Sequence, residues 1–479
     1  MNQLKIYNSL TREKEVFNPI HPPYVGMYLC GPTVSGESHL GHVRPAVTFD
    51  VLNRYLKYLG YKVRYVRNIT DAGHFEEEGR ESEDKVAIKA KLEQIEPMEL
   101  VTKYTNLYHD AMERLNVLRP SIEPTATGHI IEQINMIEDI LSKGFAYVVN
   151  GSVYFDVAKY AKENDYGRLS GRKIEEMIAG SRELEGQEEK RHPADFALWK
   201  KAPQEHLMRW KSPWGEGFPG WHIECSAMSM KALGGTFDIH VGGVDLIFPH
   251  HENEIAQSEG ATGQEFVKYW VHAEFLMVEG EKMSKSKGNY FTFRDLVDQG
   301  YSPRAIRYLL LSAPHHRQLN LTMDGLRGAE HTTTRLNDFR LRLTEITRQG
   351  ERSPAVLELV ERSMKQFEES LDDDLNTAEA LAAIHEFVRE TNSMMTSAGL
   401  TVADRDLLTS AVDRFDSVFN VFGEARREML DAEIDALIEE RRAARAARNF
   451  SRADEIRQQL LGRGILLEDT KEGVRWRRQ

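Results

Sequence analysis

Apolar positions in the first seventy residues form short continuous runs separated by one stretch of helical spacing. Val25-Gly26-Met27-Tyr28-Leu29-Cys30 has the length and composition of a buried strand. Gly31-Pro32-Thr33 punctuates it as a turn, and Val47, Val51, Leu52, Tyr55 and Leu56 then recur on one helical face. Residues 61–69 alternate as a second strand, so the pattern predicts a βαβ unit within 5–70. Sheets of this kind bind ligands at the carboxyl ends of their strands, where Cys30 and Thr70 fall. Farther on, 85–95, 98–115 and 130–141 carry helical spacing, and 147–156 alternates as strands. Residues 174–200 are rich in charge and predict a surface excursion, and Gly and Pro mark 211–220 as a loop. Strands predicted at 237–241 and 266–278 return to the first sheet.

Beyond Leu309 the pattern changes to long helices at 321–348, 355–371, 376–398 and 405–422, with apolar residues three and four apart. That spacing describes a bundle. A small unit follows residue 424, with a helix capped by Ser451 and ended by Gly462, then two short strands at 465–468 and 474–478. The fold class expected is α/β followed by a helical bundle and a small mixed α/β unit. The divisions are 1–265 with an insertion near 118–215, then 266–325, 326–423 and 424–479.

Composition adds limits. The 479 residues are 41% hydrophobic and 29% charged, ordinary values for a globular protein. No apolar run approaches the ~18 residues of a membrane span, and Met1-Asn2-Gln3-Leu4-Lys5 does not read as a secretory signal. Two cysteines argue against a disulfide framework and for a reducing compartment, so a cytoplasmic location is expected. A net charge of -13 gives no global attraction to nucleic acid, and an RNA partner would need a local basic patch. Arg441, Arg442, Arg445 and Arg448, followed by Trp476, supply one candidate.

Three stretches carry candidate chemistry. Pro249 suits the first turn of a helix, and a helix from there places His250 and Glu254 on one face. An imidazole and a carboxylate converging in this way make half of a tetrahedral zinc site, and Cys225 is the nearest soft ligand. His39-Leu40-Gly41-His42 opens a helix after a strand and turn, where free N–H groups and the helix dipole favour anions. Gly41 leaves room for a nucleotide, and imidazoles there can donate to phosphate. Lys282-Met283-Ser284-Lys285-Ser286-Lys287-Gly288-Asn289 suits a loop that meets anions. Each stretch alone has a bland alternative: a solvated ion pair, a buried thiol, a basic turn. Their occurrence in one chain sets them apart.

Together these residues resemble the signatures of class I aminoacyl-tRNA synthetases. His39 to His42 is similar to the HIGH motif, with Leu40 for Ile, and Lys282 to Ser286 reads KMSKS. Cys30, Cys225, His250 and Glu254, with the flanking 220–226 and 248–257, resemble the cysteinyl-tRNA synthetase family within that class. So does Asp373-Asp374-Leu375-Asn376-Thr377, and the resemblance covers the whole chain. It implies a Rossmann-like catalytic domain with an insertion, a stem-contact region carrying KMSKS, a helical bundle and an anticodon-binding domain. One Zn²⁺ per chain would be held by Cys30, Cys225, His250 and Glu254. ATP, with Mg²⁺, would be bound by His39, Gly41, His42 and Lys285, and His39, His42, Lys282 and Lys285 would be catalytic. Cys30, Thr70, Trp221, His222 and Asp245 would form the L-cysteine pocket, and the basic residues with Trp476 would contact tRNA(Cys). The resemblance implies a ligase, expected as a monomer without a membrane partner. The chain departs from the family pattern at Ser35-Gly36, and at Ala72-Gly73-His74 with the acidic loop 76–84. Two rival readings are a mycothiol-type cysteine:amino-sugar ligase and a non-catalytic tRNA-binding homologue. The C-terminal unit argues against the first, and intact His39, His42 and Lys285 against the second.

Overall fold

The computed structural model describes residues 3–72, 96–174, 189–204, 206–283, 288–397, 399–423, 432–447, 449–462, 465–470 and 473–478. The helix expected at 85–95, the acidic loop at 76–84, Lys285 and Arg448 lie outside the described residues.

The chain begins with an antiparallel hairpin, β1 (Lys5–Asn8) and β2 (Glu13–Val16). The apolar run then forms β3 (Tyr24–Leu29), the helically spaced stretch forms α1 (Leu40–Tyr58), and β4 (Lys62–Arg67) runs parallel to β3. The βαβ unit therefore starts at Tyr24, not Lys5, because β1 forms a separate two-stranded sheet with β2. After α2 (Pro97–Arg114) and α3 (Ile130–Ser142) the chain makes β5 (Ala146–Val149), β6 (Ser152–Phe155), α4 (Val157–Glu163), β7 (Phe196–Lys201), β8 (Trp210–Ser212) and β9 (Gly215–Pro219). These five strands form a separate antiparallel sheet in the order β5-β6-β7-β9-β8. Two expectations are corrected here. The end of the charged stretch is the buried strand β7, and the Gly- and Pro-rich loop is the hairpin β8–β9. Local composition identified the turn at Pro213-Trp214 but not the long-range pairing of β9 with β7.

α5 (Trp221–Leu233), β10 (Phe237–Gly243), α6 (Glu252–Thr262) and β11 (Val267–Ala273) return to the first sheet, whose order is β11-β10-β3-β4, all parallel. Every residue of β10 is buried, as expected of a central strand covered on both faces. One such layer is the α5–α6 pair. Its Cys225 and Ile255 pack against Tyr28 and Trp270 of the parallel sheet. Its Ile223, Ala227 and Ala256 pack against Phe155, Phe196 and Trp199 of the inserted sheet. The helices that carry three of the four candidate ligands, or begin beside them, thus lie between two sheets. The free edge of β11 is closed by Asn8, whose Nδ2 donates to the Lys268 carbonyl and whose Oδ1 accepts from the Trp270 N–H, both at 3.0 Å. A side-chain amide here substitutes for a neighbouring strand and protects the edge.

A three-stranded sheet of β12 (Leu276–Val278), β13 (Glu281–Lys282) and, later in the chain, β14 (Leu319–Leu321) surrounds α7 (Phe293–Asp298) and α8 (Pro303–Leu311) in sequence. α9 (Met323–Thr344), α10 (Pro354–Asp372), α11 (Thr377–Ser397) and α12 (Val402–Phe419) form the expected bundle, centred on Phe339, Phe367, Phe387 and Phe415. The last unit holds α13 (Ala432–Ala446), α14 (Phe450–Gly462) and the hairpin β15 (Ile465–Thr470) with β16 (Gly473–Arg478). α14 starts one residue before Ser451, and it is Asn449 whose Oδ1 accepts the Arg452 N–H at 3.2 Å. Among the described residues no helix is long and apolar enough to cross a membrane.

The α/β layer meets the bundle at a buried ion pair. Arg307 of α8 donates from Nη2 to Asp50 Oδ2 of α1 at 2.6 Å, and from Nε to the Phe419 carbonyl of α12 at 2.7 Å. Asp50 Oδ1 also accepts the Leu118 N–H. Removing one partner of a buried pair leaves the other charge uncompensated, which costs about 3–5 kcal/mol. Asp50→Ala is expected to destabilise the protein by that amount in urea unfolding, and a surface change such as Lys365→Ala by less than about 1 kcal/mol.

Candidate metal and nucleotide site

The four candidate ligands come from three places along the sheet's carboxyl edge. Cys30 follows β3 directly, and its N–H is held by the Val241 carbonyl at 3.3 Å. Cys225 lies on the second turn of α5. The N-cap of that helix is Gly220, where a Cβ would fall 2.1 Å from the Ala197 carbonyl oxygen, so only glycine lets the helix start this close to β7. His250 and Glu254 do not share a regular helix from Pro249. Phe248 is extended (φ -136, ψ 132), Ile247–His251 makes a wider π turn, and α6 starts at Glu252. The two still face each other across one turn, with His250 Nε2 3.0 Å from Glu254 Oε1.

One ligand atom from each of Cys30, Cys225, His250 and Glu254 lies within 4.8 Å of all the others. Zn–S bonds of about 2.3 Å place two thiolates of a tetrahedron about 3.8 Å apart, and a thiolate and a carboxylate oxygen about 3.5 Å apart. The two sulfurs are 3.9 Å apart, and Cys30 Sγ is 3.6 Å from Glu254 Oε1. Two sulfurs, one imidazole and one carboxylate also match zinc in softness. The residues present fit this ion.

Protonation follows from the contacts. The hydrogen bond from Cys30 outweighs burial and pushes Cys225 down to about 6, whereas burial together with the Cys225 charge pushes Cys30 up. Burial opposes a charged His250, but Cys225 and Glu254 overcome it and push the imidazole up to about 10. Burial likewise opposes a charged Glu254, and His240 and His250 hold it at about 2. Without metal the site is therefore a thiol, a thiolate, an imidazolium and a carboxylate.

A second layer of histidines orients this group. His240 Nε2 lies 3.0 Å from Glu254 Oε2 and donates to it, leaving Oε1 turned to the cysteines. His222 Nδ1 is 2.9 Å from His250 Nδ1. Burial and the charge on His250 keep His222 neutral, so its Nδ1 accepts the hydrogen bond donated by the His250 Nδ1–H. His251 Nε2 approaches Cys30 Sγ at 3.4 Å, its Nδ1 meets His272 Nε2 at 2.8 Å, and His272 Nδ1 meets Ser9 Oγ at 2.8 Å. Partners of this kind fix ring orientation and ligand basicity. His240, His251, His272 and Ser9 were not among the residues expected from sequence. The signal for the histidines is a polar side chain interrupting an otherwise apolar buried strand, or the doubled His250-His251, and Ser9 carries none.

Of the expected pocket residues, Trp221 stacks on His250 with ring centroids 4.3 Å apart, and His222 bonds to it directly. Thr70 is buried beyond β4, where its hydroxyl accepts from Asn68 Nδ2 at 3.1 Å, and Asn68 Oδ1 accepts the Gly31 N–H. Asp245 is exposed in the turn after β10, at the same sheet edge. At the other signature His39 is the N-cap of α1, and its Nδ1 accepts the Gly41 N–H at 3.0 Å. That bond puts the ring proton on Nε2. A Cβ at Gly41 would come 2.7 Å from the His39 ring, so glycine is required for the close approach. His42 lies against His39, with centroids 3.8 Å apart. Lys282 is exposed and sits over the Phe275 ring. Of the C-terminal residues, Arg441 is buried, Arg442 and Arg445 are exposed, and Trp476 lies on β16 opposite Leu467.

The family profile described as "tRNA synthetases class I (C) catalytic domain" matches residues 16–331. A DALR domain profile matches 366–426, and a cysteinyl-tRNA ligase anticodon-binding domain profile matches 427–477. A cysteine–tRNA ligase of Bacteroides thetaiotaomicron is 48% identical, covering 99% of both chains. One of Thermus thermophilus is 45% identical, again over 99% of both. Among solved structures, methionyl-tRNA synthetase of Mycobacterium tuberculosis superposes with a TM-score of 0.59 at 14% identity, over 83% of this chain and 90% of its own. A leucyl-tRNA synthetase of Agrobacterium radiobacter gives a TM-score of 0.59 at 12% identity, over 85% of each.

The protonation pattern has a measurable consequence. At pH 7.5 the metal-free site holds one proton on His250 and one on Cys30, both of which a metal ion must displace. Zinc binding to the metal-free chain, followed by calorimetry in buffers of different ionisation enthalpy, is expected to release about two protons per ion.

Proposed function

The chain belongs to the cysteine–tRNA ligases, and on that premise we propose that it activates L-cysteine with ATP and transfers it to the 3′ end of tRNA(Cys), with zinc as its resident metal. The observation that carries this reading is the convergence of Cys30, Cys225, His250 and Glu254 within 4.8 Å at the carboxyl edge of a parallel sheet. Bound there, zinc supplies a soft Lewis acid that takes a thiolate but holds a hydroxyl poorly and a methyl group not at all. A shaped pocket alone separates such close isosteres by only about 10–200-fold.

In activation, a carboxylate oxygen of cysteine bonds to the α-phosphorus of ATP and the bond to pyrophosphate breaks. Little covalent help is needed, so positioning and charge stabilisation carry the rate. His39 serves this step with the proton on Nε2, because its Nδ1 is already committed to the Gly41 N–H. Nε2 then donates to an oxygen of the phosphate as charge builds. We assign Gly41 the space for the nucleotide, His42 a second imidazole beside it, and Lys282 and Lys285 the ammonium groups that meet the phosphates. Mg²⁺ accompanies ATP. In the pocket, Trp221 and the neutral His222 hold His250 in place, and Thr70 and Asp245 complete the walls. The 3′-terminal hydroxyl of the tRNA then attacks the adenylate carbonyl and AMP leaves. We place tRNA recognition in 424–479, with phosphate contacts from Arg442, Arg445 and Arg448 and stacking from Trp476; Arg441, expected from sequence to join them, is buried and is left out of that role. The anticodon-domain match over 427–477 disfavours an amino-sugar ligase.

Pyrophosphate exchange with each standard amino acid tests the specificity. Cysteine alone is expected to support it, and Cys225→Ser is expected to lose zinc and cysteine-dependent exchange together. Exchange with serine within tenfold of cysteine would overturn the assignment. A chain ending at residue 423 tests the division of labour. Exchange is expected within about threefold of the full chain, while tRNA charging falls by at least 100-fold, because remote binding positions the acceptor end. Equal losses in both assays would mean that 424–479 only supports the bundle.

A further inference from the structure

The segment that follows the KMSKS stretch is tied to the HIGH element by its backbone. The Leu40 N–H donates to the Phe291 carbonyl at 3.0 Å, and His39 and Thr292 form an antiparallel bridge. Thr292 is itself fixed as the N-cap of α7, in a capping box with Asp295. Tyr290 is thereby set beside His39. Its ring meets the imidazole edge-on, with centroids 5.2 Å apart and planes at 68°. Its hydroxyl donates to the Glu37 carbonyl at 3.4 Å, and Arg294 lies 3.9 Å from the Glu37 carboxylate. Before the KMSKS stretch ends, Met283 Cε is 3.8 Å from where a Cβ of Gly41 would stand.

We propose that Tyr290 is a positioning residue for cysteine activation, acting through His39. The hydrogen bond to Gly41 chooses the tautomer of His39 and holds its Nδ1, and His42 lies against the ring. The edge contact with Tyr290 adds a further restraint on ring orientation. An edge-to-face aromatic pair biases such an orientation by roughly 2–10-fold, and small errors in placing a catalytic group are multiplied in the rate. The hydroxyl bond to Glu37 is long, so the ring and not the hydroxyl carries the effect.

The proposal rests on the nucleotide role given to His39, and a double-mutant cycle separates the two. Tyr290→Leu is expected to lower kcat for pyrophosphate exchange by about 5–50-fold. The KM for cysteine should stay within twofold, with zinc content and the thermal midpoint unchanged. Tyr290→Phe should stay within about threefold of the native enzyme. In a His39→Ala background, Tyr290→Leu should cost less than twofold. An equal loss in both backgrounds, or a raised KM for cysteine at constant kcat, would overturn the positioning role. Full exchange in His39→Ala alone would instead overturn the role of His39, whatever Tyr290 does. Should Tyr290→Leu lower the thermal midpoint, the cycle is run with Tyr290→Met, which fills the space without a flat ring, and the same criteria apply.

Discussion

A carboxylate without access to water has to be compensated or neutralised, and Glu254 is such a group. Its desolvation alone would cost several kcal/mol. His250 and His240 answer that cost from either side, one oxygen each, while Cys30 approaches the oxygen shared with His250. These partners come from β10, the π turn and the end of β3, so the charge is stable only when the central sheet and α6 have docked. The inserted antiparallel sheet gains a physical reason from the same constraint. By covering the outer side of α5 and α6 it keeps water from the group, and every electrostatic contact there gains strength as a result.

Charge also holds the larger halves together. Asp50 and Arg44 both lie on α1, and both are buried. Asp50 takes the Arg307 guanidinium, and Arg44 donates to the carbonyls of Glu274, Phe275 and Arg317. The helix that opens with the nucleotide signature is thus also the one to which the connector and bundle are bonded.

Much of this was legible in the sequence because it depends on local spacing. The apolar runs gave β3 and β10, alternation gave β4, and the three-and-four spacing gave α9 to α12, whereas it was the family resemblance that joined Cys30 and Cys225 to His250 and Glu254. What was missed depends on pairing between distant residues. Gly215 and Gly217 look like loop residues, yet β9 forms because Trp199 and Lys201 of β7 stand opposite it. His240 and His272 look like defects in apolar strands until Glu254 and His251 are seen to face them. The start of α6 moved from Pro249 to Glu252 because Phe248 is extended, and no periodicity reports a single residue's ψ. Ser451 had the right chemistry for a cap, but Asn449 had the right place.

The N-terminal hairpin binds a part of the chain made very much later. The Tyr7 N–H donates to Asp374 Oδ1 at 2.7 Å across 367 residues, Lys5 bridges Asp373, and Lys14 pairs with Asp373. His315 and His316 surround the same Asp374 carboxylate. At roughly 5–20 residues per second, a ribosome reaches Asp374 about 20–70 s after it has made Tyr7. Asn8 meanwhile waits for β11, some 260 residues away. The first strand of the protein therefore leaves the ribosome early and finds its place late. Through most of that interval the β1–β2 hairpin has its own ladder but neither of its distant anchors, so its docking waits on the segment that carries Asp374.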